Sequence, residues 1–292
     1  MSDEVKGMLL GVIGVAIFSL TLPATRVAVS VLDPVIVGLG RAVVAAAVAA
    51  AILFLTRQPI PARRTWFRLL MVALCLVIGF PLFMTIAMRS VPASHGGVVL
   101  GVLPLATTVG AALFCGERPS IGFWAMAVLG SALVLAFAFM DGAGALQVAD
   151  LWLLAAVFIA GSGYALSGNL SRFMGSWQVI CWVVVAALPF TVPPVLWVAG
   201  DIDWPATSWQ VWAGFFYVAL FSQLIGFFAW NRGMVMGGVS RVGQVQLLQL
   251  FMTLAASWLL LGEEITPTTI VFAMLVVAVV AWGRRMPVSR PD

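Results

Sequence analysis

The chain has 292 residues, of which 63% are hydrophobic and 9% charged, with a mean hydropathy of +1.11 and a net charge of +4. Soluble domains carry about 25% charged residues, so this composition excludes a soluble globular protein and makes lipid the solvent. The cysteines Cys75, Cys115 and Cys181 lie in apolar runs without metal-ligand spacing and read as free, small hydrophobes.

A membrane span needs roughly 20 mostly apolar residues. Taken in chain order, such windows predict an all-α polytopic membrane protein with ten helices. The first half holds 6–27, 34–55, 67–88, 92–115 and 120–140; the second holds 150–170, 177–199, 209–230, 239–261 and 267–284. The first run follows only MSDEVKG and exceeds the roughly 7–15 residues of a signal-peptide core, so it is expected to remain as a span. Asp33-Pro34, the basic stretch TRQPIPARRTW, DGAGALQVAD and GDIDWPATSW punctuate the runs. With the N-terminus in the cytoplasm and ten crossings, only Arg26, Arg41 and Arg89 of the 15 basic residues fall outward. The positive-inside bias therefore places both termini in the cytoplasm of a cell (inner) membrane protein.

The turn LFCGERPSI has an echo in LLLGEEITP: Gly116 and Gly262 stand 146 positions apart, half of the 292-residue length. At the same offset Ser94 meets Ser240, Gly97 meets Gly243, Val99 meets Val245, Thr107 meets Thr253 and Glu117 meets Glu263. Two repeats are expected, 1–146 and 147–292, within one integrated membrane domain. Each carries five helices, an odd number, so the second must thread the bilayer upside down. Inverted repeats build secondary transporters whose substrate site lies near mid-membrane between the halves. Gly116 is expected to close the fourth helix in a left-handed cap, with Glu117 and Pro119 opening the fifth. Gly262, Glu263, Thr266 and Pro267 repeat that arrangement before the tenth.

Ten spans in two inverted halves, with PLATTVGAALFCGERPS, GSALVLA and LFMTLAASWLLLGEEITP, resemble the drug/metabolite transporter superfamily, and within it EamA-type exporters. The overall pattern is similar to the aromatic amino acid exporter branch of the YddG type. One departure is Leu250 in the second half where the first has Pro104. The resemblance implies a ten-helix basket in which the first, third, fourth, sixth, eighth and ninth helices surround a cavity while the fifth and tenth support it from outside. It also implies export of aromatic or other hydrophobic amino acids by alternating access.

Candidate cavity residues follow from polar or aromatic character inside the spans. His95 is the one clear ionisable case, and its counterpart is Arg241. Gln246 and Gln249 share a helical face and offer donors and acceptors to a zwitterion; interhelical packing is the competing role. The sixth helix offers Ser162, Tyr164, Ser167 and Asn169, the eighth Gln223, Phe227, Trp230 and Asn231, and the third Met84 and Met88. Arg41 is expected to snorkel outward. Pro23, Pro81 and Pro104 mark expected hinges, and GxxxG spacing at Gly7/Gly11, Gly97/Gly101 and Gly233/Gly237 predicts close helix contacts.

No Asp or Glu lies deep in a predicted span, which favours uncoupled export over proton coupling. The scarcity of buried positive charge argues against phosphate-bearing substrates. A lone histidine, with neither HExxH nor G-x-S-x-G, excludes a recognisable enzyme site. The expected partner is a neutral or zwitterionic amphipathic solute, the expected assembly a monomer, and no cofactor or metal is expected. The alternative is a related carrier of another small metabolite or drug, possibly proton-coupled.

Overall fold

Ser2 starts the first helix by accepting the Val5 amide on its hydroxyl (3.4 Å), and Asp3 and Glu4 complement the helix dipole in the first turn. The computed structural model describes residues 2–91, 96, 99–140, 148–200, 207–261, 266–283 and 285–289. Among them the chain is all-helical apart from one two-residue strand pair, Arg118–Pro119 with Val288–Ser289. Six helices are long and apolar enough to cross a membrane: α1 (Asp3–Val29), α2 (Ile36–Leu55), α3 (Arg63–Met88), α6 (Val148–Met174), α7 (Ser176–Ala199) and α8 (Trp209–Gly237). Shorter apolar helices complete the bundle: α4 (Leu103–Phe114), α5 (Ile121–Met140) and α10 (Pro267–Gly283), with α9 (239–261) interrupted by a 3-10 segment at Val245–Leu248. Leu113, Ile121, Leu196, Trp197 and Leu259 are largely exposed, as the outer wall of a multi-pass membrane protein requires.

Three helices are interrupted beside prolines, whereas α7 runs unbroken through Pro189, Pro193 and Pro194, and polar side chains meet two of the carbonyls set free. α1 breaks at Leu20. Pro23 has no amide hydrogen for the Ser19 carbonyl one turn earlier, and the Thr253 hydroxyl donates to that carbonyl at 2.7 Å. In α3 a π-helical stretch at Leu74–Gly79 precedes Pro81, and the Phe80 amide reaches back to Cys75 O. Leu76 O then has neither Phe80 nor Pro81 as a donor, and Gln223 Nε2 approaches it at 3.5 Å. α8 contains its own π-helical stretch at Tyr217–Ile225. Pro104 stands at the start of α4, just beyond the turn at Gly101–Val102. All three prolines therefore mark helix interruptions. In lipid such repairs matter, because an unpaired backbone group costs several kcal/mol.

The most extensive packing joins α1 to α8, followed by α3 with α6, then α4 with α6 and α2 with α7; α5 packs against α10. The two GxxxG motifs of α1 and α8 meet each other. A Cβ at Gly7 would lie 2.4 Å from Gly237 N, and one at Gly233 would lie 2.7 Å from Gly7 O. These backbones touch at distances that only glycine permits. α5 and α10 pack through Phe137, Phe272 and Val276 in a separate apolar cluster.

Candidate functional site

A narrow cavity, with about 20 Å³ of water-accessible space, lies where the irregular parts of the helices converge. Its wall takes Phe18, Thr21 and Leu22 from α1, Arg41 from α2, Leu76, Phe80 and Met84 from α3, and Leu100 with Leu103 around the start of α4. Tyr164 comes from α6, Ser222, Gln223 and Phe227 from α8, and Gln249 from α9. A second, smaller cavity of about 10 Å³ shares Leu22, Leu100 and Gln249 and adds Gln246 and Thr253. Among the described residues, neither α5 nor α10 contributes to either wall. The mostly apolar lining with a few polar groups suits a small-molecule site.

The aromatic side is built by mutual packing. Phe18 lies 5.1 Å from Phe227 and 6.4 Å from Tyr164, centroid to centroid, and Trp230 backs Tyr164 edge-on at 5.4 Å. Polar groups are few and placed apart. Thr21 and Ser222 share a hydrogen bond at 2.8 Å across α1 and α8. Thr107 donates to Gln246 Oε1 at 3.1 Å, joining α4 to α9, while Gln246 Nε2 is buried without a partner.

The guanidinium of Arg41 corrects the sequence reading. Instead of snorkelling outward it is 2% exposed and turned into the cavity wall, and its Nε and Nη1 have no hydrogen-bond partner. A buried cation therefore exists, contrary to the expectation of almost none. Among the described residues no Asp or Glu lines either cavity. Asp150 and Glu117 are buried, but in the first turn of α6 and the α4–α5 turn.

Of the candidate residues, Tyr164, Gln223, Met84, Gln246 and Gln249 meet at these cavities, and Trp230 forms the layer behind them. Ser162 is half-buried and contributes to neither wall. His95, Gly262 and Glu263 lie outside the described residues. Asn231 and Ser167 bond to each other at 3.0 Å and Asn231 reaches Ser176 O, so they tie α6, α7 and α8 together. Sequence inspection missed Phe18, Phe80, Thr21 and Ser222, which carry no signal apart from their neighbours in space.

Arg241 lies at the start of α9, as expected, but in neither cavity wall. It pairs with Glu4 at 2.8 Å and donates to Met286 O at 3.2 Å, at the end of the bundle that holds both termini. At the same end Gly116 adopts the left-handed conformation expected of it, φ 67°. Glu117, however, caps a different helix from the one expected. Its Oε1 and Oε2 accept the Val239 and Ser240 amides, each at 2.9 Å, at the start of α9. Arg172 Nη2 stands 3.8 Å from the same carboxylate. Ser120 takes the place at α5, accepting the Phe123 amide at 3.3 Å. The exit from α8 into α9 is a single Gly238 at φ 89°, which brings those amides to the carboxylate.

The profile of the EamA-like transporter family matches residues 5–139 and again residues 147–282. The chain belongs to this family. It is accordingly a transporter and not an enzyme. Among EamA-like relatives, the "Uncharacterized transporter YdeK" of Bacillus subtilis (strain 168) is 41% identical over 285 residues, spanning 98% of this chain and 99% of that one. A solved structure described as "Crystal structure of protein" superimposes with a TM-score of 0.75 over 96% of this chain and 98% of that chain. At 17% identity that likeness speaks for the fold alone.

Proposed function

We propose that this EamA-like transporter exports hydrophobic amino acids, aromatic ones foremost. It would act as a monomer in the cell (inner) membrane, by alternating access and without a coupling ion. The observation that carries the reading is the aromatic-walled cavity enclosed by α1, α2, α3, α4, α6, α8 and α9. Its lining suits an amphipathic solute once the helices part, and Phe18, Tyr164 and Phe227 offer ring faces to an aromatic side chain.

Two oppositely threaded halves of five helices, 1–146 and 147–292, with cytoplasmic termini, supply the proposed motion. The double match of one family profile supports this. So does the recurrence of local irregularity at the 146-residue offset. The π-helical stretch 74–79 corresponds to 220–225 within Tyr217–Ile225. The break at 99–102, where the Val102 amide bonds Val99 O at 3.2 Å, corresponds to the 3-10 segment Val245–Leu248. Irregular backbone at membrane depth is tolerated where it lines a cavity, and in transporters it marks the moving, substrate-contacting helices. The absence of carboxylates from the described cavity walls favours uncoupled transport.

Counterflow in proteoliposomes tests the proposal. Vesicles preloaded with unlabelled tryptophan are expected to accumulate labelled tryptophan without an ion gradient. Accumulation that requires an imposed proton gradient would replace the uncoupled mechanism with a proton-coupled one. Absence of uptake of any aromatic amino acid would overturn the substrate assignment.

A further inference from the structure

We propose that Arg41 is the anchor for a carboxylate on the transported solute, so that the cavity selects amphipathic monocarboxylates and rejects their amides and amines. This rests on the transport reading above and names the chemical group that reading requires at one position.

Arg41 is a permanent cation within the apolar helix α2, at 2% exposure, and a charge within a bilayer is expensive unless it is paired or solvated. Nothing in the described structure pairs it. Its Nε and Nη1 are buried without acceptors, and no described Asp or Glu lines the cavity it faces. Asp33, the acid nearest along α2, stands two helical turns away and faces Arg89 at 3.9 Å. The guanidinium fork matches a carboxylate, which it binds through two parallel N–H···O bonds. Among the described lining residues Arg41 has no second cation beside it, which suits one negative charge, and a phosphate would retain uncompensated charge.

The rest of the cavity lining matches the remainder of such a solute in chemistry. Phe18, Phe80, Tyr164 and Phe227 supply the apolar wall. Gln223 directs its amide nitrogen to Leu76 O, which leaves its Oε1 as an acceptor for an ammonium group. A zwitterion is thus met at both charges, with the carboxylate recognised more strongly because its partner is ionic.

The test uses the full chain, purified in detergent and in proteoliposomes, with tryptophan, indole-3-propionate, tryptophanamide and tryptamine as probes. Tryptophan and indole-3-propionate are expected to raise the melting temperature of the wild type and to compete with labelled tryptophan; the amide and the amine are expected to do neither. Arg41→Gln should lose at least about tenfold in apparent affinity for the carboxylates, the loss of a charge-assisted pair. Arg41→Lys should fall between.

Without ligand, Arg41→Gln should melt higher than the wild type, because it removes a buried unpaired charge; a purely structural arginine would give the opposite shift. Equal binding of tryptophan and tryptophanamide by the wild type, or unchanged tryptophan affinity in Arg41→Gln, overturns the anchor while leaving transport standing. Carboxylate-selective binding without any counterflow sustains the anchor and overturns the transport reading.

Discussion

Glu117 and Val239 are 122 positions apart in sequence, yet the carboxylate of one accepts the amide of the other at 2.9 Å, with Ser240 bound beside it. The turn after α4 thereby holds the start of α9. Four amides at a helix start lack internal partners, and the positive end of the helix dipole favours an anion there. The acid is fully buried, and Arg172 stands 3.8 Å away as its counter-charge. Glu117→Ala is expected to cost about 3 kcal/mol, combining a lost cap with buried Val239 and Ser240 amides left without acceptors. Glu117→Gln should cost less, since it keeps one acceptor. Thermal unfolding of the purified chain measures both, and an unchanged midpoint for Glu117→Ala would contradict the capping role.

The contact between α1 and α8 predicts a steep response to added bulk. Gly7→Ala would place a carbon 2.4 Å from Gly237 N, which the backbones relieve only by separating. A loss of about 1–3 kcal/mol is expected, and Gly7→Leu should prevent folding. Gly200→Ala, with nothing within 4 Å of the new Cβ, is the matched control and should leave the melting temperature unchanged.

The cavity wall predicts a contrast on one helix. Tyr164→Ala should weaken tryptophan counterflow about tenfold, from the loss of aromatic packing against the solute. Ser162→Ala should have no effect, because Ser162 belongs to neither cavity. Equal responses would mean that the solute takes a different path along α6.

The ion pair between Glu4 and Arg241 is partly exposed, at 34% and 17%, and its contribution is correspondingly small. A double-mutant cycle with Glu4→Gln and Arg241→Gln is expected to give a coupling below about 1 kcal/mol that shrinks further in high salt.

Helix positions were legible in the sequence because lipid demands long apolar runs. Both α2 and α7 begin and end within about two residues of their predicted bounds, as expected for strongly apolar runs. α8 runs on to Gly237, beyond the predicted end at 230, because Asn231 is not a boundary residue: it is buried and bonds Ser167 and Ser176 O. Facing was harder to see. Ser162 and Tyr164 are two residues apart, about 200° around a helix, and only the packing of α6 decides which turns inward. Arg41 reads as a snorkelling side chain because a lone arginine near a span end fits that pattern; the surrounding helices enclose it instead. Glu117 was legible as a cap, but its distant partner was not, since Val239 carries no mark of the pairing.

The central claim is that two oppositely threaded halves enclose one passage. Single cysteines at positions 118 and 264, in a chain lacking Cys75, Cys115 and Cys181, can be challenged with an impermeant thiol reagent on intact cells and on inverted vesicles. The account predicts labelling of position 264 only from outside and of position 118 only in inverted vesicles. Labelling of both from the same side would contradict it.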